Sequence, residues 1–330
     1  MAENGGLLKA EPPRGTRPFP WFVRMPVKWL VFAAVTLLVL FPNPAQLARH
    51  ISRLRNLQAM IEPNAPELAP FEEELRQRLA KGTDAAASQP AADRLVKPNQ
   101  VAASQPVDPN HLPARVIQSA IERFVFEKVK YAWDWDVWGS ADYIPTIHEM
   151  FAKAKEYPDG QIREDCDGRA VMAASLMKRM GYDASIVTDL RHVWVTTPEG
   201  EWMGPGGPKT MASGPQGNRL NLASVWRNVP VSLSYGIAVF PFAREMILLL
   251  TAYALMICRR ISWRTAAVAG VLLLQGLLFM RCGALAFAGE KDWPAIVGML
   301  HVACGFAILM TASHRARRIA TTGTSTAEDH

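Results

Sequence analysis

The chain has 330 residues, 49% of them hydrophobic and 20% charged, and a formal net charge of +6. That apolar content excludes a mostly disordered polypeptide, and four cysteines in such a length exclude a disulfide scaffold. Room remains for about two ordinary domains. The apolar residues crowd toward the two ends while the middle has the composition of a soluble protein. This imbalance predicts a membrane protein with a globular insert.

A basic N-terminus, residues 1–28, carries Lys9, Arg14, Arg17, Arg24 and Lys28. From Trp29 to Ala48 no side chain is charged. About 20 such residues cross about 30 Å of hydrocarbon as a helix, so 29–48 is the first expected span. A cleaved signal peptide competes with that reading. It wants two small residues two apart after the apolar run, whereas Ala45 and Ala48 lie three apart, which favours an uncleaved anchor. Three more expected spans cover 240–258, 265–287 and 294–313, ahead of a tail at 314–330.

Arg259, Arg260 and Arg264 separate the second and third spans, Glu290, Lys291 and Asp292 the third and fourth, and Arg315, Arg317 and Arg318 follow the last. Positive charge near span ends marks the cytoplasmic side. Four spans put all three basic clusters there and the long insert outside. The expectation is a multi-pass protein of the cell (inner) membrane with a periplasmic, extracytoplasmic head. Arg244, Glu245 and Arg281 read as near-surface positions, since arginine snorkels to an interface. His301, isolated in its span, reads as a packing residue.

Within the insert, 49–81 is expected to be a helical juxtamembrane segment, with Ile51, Leu54 and Ile61 near one stripe and a second helix around 66–80. Residues 82–112 are rich in Ala, Ser, Gln, Pro and Asp, and AASQP occurs there twice. This stretch reads as a flexible linker. The folded head is expected over 113–229. It opens with a helix whose Val116, Ile117, Ala120, Ile121, Phe124 and Val125 recur at helical spacing. An aromatic cluster follows, with Trp133, Trp135, Trp138 and Tyr143, then a second helix, PTIHEMFAKAKEY. Cys166 opens a third helix with an apolar face of Ala170, Ala173, Leu176, Met177 and Met180. Gly181 suits the left-handed residue that ends it. DASIVTDL, RHVWVTT and EWM then read as strands. Helices first and antiparallel strands after is an α+β order.

Cys166 is the one cysteine outside the apolar runs. A helix start favours a thiolate through its free N–H groups and dipole, whereas the flanking Asp165 and Asp167 oppose it, so an imidazolium is needed to tip the balance. His192 lies 26 residues on, alternating with Val193 and Val195 so that it projects from one sheet face. If the Cys166 helix packs there, thiol and imidazole meet, and the pair has the parts for acyl transfer through a thioester. Taken singly, each has a plainer reading: a buried cysteine is a small hydrophobe, and a strand histidine is structural.

The run DCDGRAVMAASLMKRMGYDASIV followed by RHVWV resembles the core of the transglutaminase-like cysteine fold. The preceding ADYIPTIHEMFAKAKEYPDGQIRED is similar to that family's approach to its cysteine. The resemblance covers about Trp133 to Met203. It implies a papain-like α+β core, with the cysteine helix packed on an antiparallel sheet and inserted between transmembrane helices. It also implies Cys166 as nucleophile and His192 as general base, then acid. The family's third residue is a departure: Gly204–Pro205 stands where an aspartate is expected. Glu199, Glu201, Asn218 or Asn221 are substitutes, with Asp189 behind them. Losing an orienting acid lowers a triad's rate by orders of magnitude.

The Cys166 backbone N–H is the expected oxyanion donor, and Trp133, Trp135 and Trp138 are candidates to line the cleft. No cofactor or metal is expected: Asp165–Gly168 looks like a calcium-loop fragment without a closing glutamate, and no phosphate loop or nucleic-acid surface is visible. The leading expectation is cysteine-dependent amide acyl transfer, as hydrolysis or transamidation, on peptides or proteins outside the cytoplasm. The partners are that substrate, the lipid bilayer and an undefined membrane protein. The rival is a degenerate domain of the same fold that binds a peptide or protein. A transporter suffers from too few spans.

Overall fold

The computed structural model describes residues 21–81, 113–204, 209–214, 217–257, 261–283 and 293–325. The expected linker at 82–112 lies outside them, as do most of the basic N-terminus, Arg259, Arg260 and the charged loop at 290–292. The architecture is mixed helix and sheet, and it includes long apolar helices.

The first helix, α1, runs from Trp21 to Leu40 rather than over 29–48. Phe41-Pro42-Asn43-Pro44 breaks it. A residue before proline is pushed out of the helical region, and Asn43 instead caps a new helix, α2 (Pro44–Leu54). Its side-chain oxygen accepts the N–H groups of Ala45 and Gln46 at 3.0 and 3.3 Å. The unpaired stretch ends there, and Arg24 and Lys28 sit inside α1 as a result.

Short 3-10 turns at Leu57–Met60 and Pro66–Leu68 lead to α3 (Ala69–Ala80). Their Leu57, Leu68, Leu75 and Leu79 are fully buried in one core with the residues beyond 113, so this segment is part of the head. Arg53 of α2 reaches across to Ile144 O and to Glu149, both at 2.7 Å. Arg179 ties α3 back through Glu72 at 2.5 Å.

The head continues with α4 (Ala114–Lys128), β1 (Val129–Tyr131), α5 (Asp134–Val137), α6 (Ile147–Ala154) and β2 (Ile162–Glu164). Thr146 and Glu149 cap α6 reciprocally. Next come α7 (Cys166–Arg179), β3 (Ser185–Thr188), β4 (Val193–Thr197), β5 (Gly200–Trp202), β6 (Met211–Ala212) and β7 (Arg219–Leu220). Gly181 ends the turn after α7 at φ +91°. The five later strands form an antiparallel sheet in the order β5-β4-β3-β6-β7, and β1 and β2 pair in parallel beside it. Ile117, Ile121 and Phe124 of α4, Ala170, Ala173 and Leu176 of α7, and Ile186 and Val195 of the sheet share the core. The helix bearing Cys166 therefore lies between α4 and the face of β4.

Four helices follow: α8 (Leu222–Val239), α9 (Phe242–Met256), α10 (Trp263–Gly283) and α11 (Trp293–Ser325). Among the described residues three helices are long and apolar enough to cross a membrane, at Val23–Leu40, Trp263–Cys282 and Trp293–Arg315. The expected second span, 240–258, takes a different form. Pro241 separates α8 from α9, and α9 has 15 residues, about 22 Å at 1.5 Å per residue against about 30 Å of hydrocarbon.

Helix α9 nevertheless runs antiparallel beside α1. Lys28 Nζ donates to Leu255 O near one end. At the other, the 139–141 loop receives Arg244 (3.1 Å to Gly139 O) and donates Ala141 N–H to Leu40 O at 2.7 Å. Helices α10 and α11 pack most intimately. A Cβ on Gly276 would lie 2.7 Å from Gly298 O, and one on Gly298 2.6 Å from Gly276 O. Small residues of this kind let membrane helices approach backbone to backbone. At the head-side end, Arg281 donates to Glu245 (2.5 Å), Phe240 O (2.8 Å) and Ile237 O (2.9 Å). Arg244, Glu245 and Arg281 thus share one level of the bundle, nearest the head.

Candidate active site

The thiol sits where β2 hands the chain to α7. Asp165 is the N-cap, its carboxylate accepting the N–H of Asp167 at 3.0 Å, and Cys166 is the first helical residue. Its S–H donates to Asp167 Oδ1 at 3.4 Å. On the other side the backbone of Val193 comes close enough to the Cys166 sulfur to act on its titration. Val193 begins β4, so His192, the residue before it, stands at the mouth of the strand beside the helix start.

His192 is held by a tight turn. Asp189 Oδ1 accepts the N–H groups of Arg191 and His192, both at 2.9 Å, and Oδ2 accepts from the Arg191 guanidinium at 3.0 Å. Leu190 between them takes φ +76°, a left-handed conformation uncommon for a bulky side chain. That strain is met at a site where a polar network over-determines the backbone. On its ring face His192 meets Tyr235 of α8, with centroids 5.5 Å apart. The Tyr235 phenol lies close enough to Tyr131 and Cys166 to be influenced by both. Thiol and imidazole therefore both neighbour Tyr235, but among the described residues no hydrogen bond joins Cys166 to His192, and the thiol is bonded to Asp167 instead.

Both titrating groups favour their neutral forms. Burial, then the charges of Asp165 and Asp167, pushes the Cys166 thiol well above its ordinary value. Burial lowers His192, against a smaller opposing pull from Asp189. The resting pair is a thiol and a neutral imidazole.

Position 204, where the resemblance leads to an expected aspartate, has no room for a side chain. A Cβ at Gly204 would lie 2.3 Å from Cγ of Trp194, whose fully buried indole fills that position and donates to Glu201 Oε2 at 3.0 Å. The expected substitutes are engaged elsewhere. Glu199 accepts from Gln118 at 3.2 Å, Glu201 also pairs with Lys209 at 2.7 Å, Asn218 donates to Leu54 O at 2.7 Å, and Asn221 caps α8 through Ser224 N at 3.2 Å. Asp189 is the carboxylate that faces His192, and it does so through the backbone of the turn.

The three tryptophans divide. Trp133 and Trp135 stack at 4.8 Å and face α8 and its end, with Trp133 6.4 Å from Tyr235 and Trp135 5.8 Å from Phe240. Trp138 turns the other way and donates to Glu164 Oε1 at 3.0 Å.

Behind the thiol lies a concentration of carboxylates that the sequence did not announce. Asp134, Glu164 and Asp165 bring ligand-type oxygens within 4.8 Å of one another, and Asp165, Cys166 and Asp167 form a second such group. Asp142 lies close enough to Asp167 to raise it further, and on its other side stands 3.6 Å from His50. Burial, reinforced in Asp134 and Glu164 by neighbouring carboxylates, raises the carboxyls, with Asp165 pushed up to about 7. Asp134 was missed because it is embedded in a tryptophan cluster that reads as packing, and Tyr235 because the head was expected to end at 229. No family model matches the chain, and no curated protein or solved structure is significantly similar to it.

Proposed function

We propose that the chain is a membrane-anchored cysteine acyl-transfer protein of transglutaminase-like type, acting on amide groups of peptides or proteins outside the cytoplasm. The observation that supports this reading is the packing of the start of α7 against β4, which brings Cys166 near Val193, the residue after His192. As the sulfur attacks an amide carbonyl, neutral His192 takes the thiol proton, so no thiolate needs to pre-exist. The carbonyl electrons move to oxygen, where the free N–H groups of the α7 start supply stabilisation. Collapse expels the amine, which leaves with the proton from His192, and the thioester is resolved by water or by a second amine. Charge supports the outward orientation of the head: Arg24, Lys28, Arg264 and Arg315 lie toward the end of the bundle away from it, the side that positive residues mark as cytoplasmic.

The test uses the intact protein in nanodiscs, with hydrolysis of labelled casein and incorporation of a fluorescent amine into it as the two readouts. Cys166→Ala abolishes whichever activity is present, and His192→Ala lowers it by at least 100-fold. Activity unchanged in Cys166→Ala overturns the reading. A second reading, a binding module on the same fold, is favoured by the indole in the acid's place and by the two aspartates that disfavour the thiolate. Iodoacetamide separates the two. A working pair alkylates at neutral pH in a His192-dependent manner, and an inert thiol only in strong alkali.

A further inference from the structure

We propose that Asp134, Glu164 and Asp165 form a binding site for a hard divalent cation of the Ca2+ class. The site does not depend on the acyl-transfer reading and would exist equally in a binding module.

Three separate stretches build it: Asp134 from the start of α5, Glu164 from the end of β2 and Asp165 from the cap of α7. Asp134 and Glu164 are 2% and 0% exposed. Each spends one oxygen on a neutral donor, Asp134 Oδ2 on Tyr143 N at 2.6 Å and Glu164 Oε1 on the Trp138 indole at 3.0 Å. The other oxygens, Asp134 Oδ1 and Glu164 Oε2, are buried without a hydrogen-bond partner. Buried polar atoms are nearly always satisfied, and two such orphans on adjacent carboxylates call for one shared partner that accepts electron pairs. Further negative charge faces them from Asp142 and Asp167, and Arg169 of α7 is the cation within range of Asp165. Its guanidinium is directed to Val129 O at 2.7 Å and lies over the rings of Phe126 and Tyr131.

Hardness and tolerance of geometry select the ion. Carboxylates brought within 4.8 Å of one another by three separate stretches suit an ion that accepts oxygen ligands in adaptable geometry, as Ca2+ does. Mg2+ demands near-ideal octahedral angles and keeps much of its water. An all-carboxylate set is a poor match for softer ions.

The probe is Tb3+, a Ca2+ substitute, added to the full-length protein in nanodiscs. Trp138, bonded to Glu164, is the antenna. Excitation of tryptophan is expected to give saturable Tb3+ luminescence that Ca2+ displaces, retained in Cys166→Ala and weakened at least tenfold in both Asp134→Asn and Glu164→Gln. Absence of saturable luminescence, or luminescence unchanged in those two variants, overturns the site. Wild-type protein alone supplies a second measurement if the variants misfold. Millimolar Ca2+ raises the unfolding temperature of the head more than equal Mg2+ does, and no shift with Ca2+ overturns the site. So does a protonated-carboxyl infrared band that persists at neutral pH with Ca2+ present, because it means the acids share protons instead.

Discussion

The head and the helical bundle use the same apolar side chains in opposite ways. In the head, Phe124, Ile117, Leu176 and Trp194 point inward and are fully buried. In the long apolar helices Leu30, Val271 and Leu300 point outward, while the contact between α10 and α11 is made by glycines and backbone. Tryptophans follow the same inversion: Trp194 closes the core of the head, whereas Trp263 and Trp293, the first residues of α10 and α11, are 76% and 61% exposed, as in the aromatic belts at membrane surfaces. Large side chains hold an element together where water is the alternative surroundings. Where lipid is the alternative, close approach of small residues does so.

Breaking the head should cost most. Trp194→Ala removes the indole that fills the space over Gly204 and is expected to destabilise the head by about 4 kcal/mol, measured by denaturant unfolding followed by circular dichroism. A loss under 1 kcal/mol would show that the core does not rest on that ring. Next comes the seam between the two regions. Arg281→Ala leaves buried Glu245 without its guanidinium and should cost about 3 kcal/mol in mixed-micelle unfolding. Replacing both residues by methionine should recover most of that loss, and failure to recover would assign the effect to the Ile237 and Phe240 carbonyls instead.

The smallest effect per pH unit is a slope contributed by Asp165 in the head. The folded-state value of Asp165, about 7, lies above its unfolded value near 4, so between them the native state binds the extra proton. The contribution of this group is then fully present below about pH 4 and is lost as pH rises toward 7, by about 1.4 kcal/mol per unit. Chelator should leave this slope intact and Ca2+ should flatten it.

What could be read from sequence alone was whatever had local cause. The helix from Cys166 to the turn at Gly181 declares itself by its apolar stripe and terminal glycine, β3 and β4 fall within the expected strand runs, and β5 overlaps its run but starts one residue earlier, at Gly200. The end of α1 was displaced because apolar composition continues through Pro42 and Pro44, where backbone chemistry, not hydropathy, stops a helix. The two-residue strands β6 and β7 are too short to show a period. The head was expected to end at 229, in the middle of α8 (Leu222–Val239), and that boundary hid Tyr235 from the site. The acids behind Cys166 escaped for a different reason: Asp134 and Asp165 are 31 positions apart, and no spacing rule links residues that only tertiary packing joins.

The contact between Gly204 and Trp194 couples the two positions. Any side chain at 204 drives its first carbon into the indole, while shrinking the indole alone opens the core, so a substitution at 204 is expected to be tolerated better together with a smaller residue at 194 than by itself.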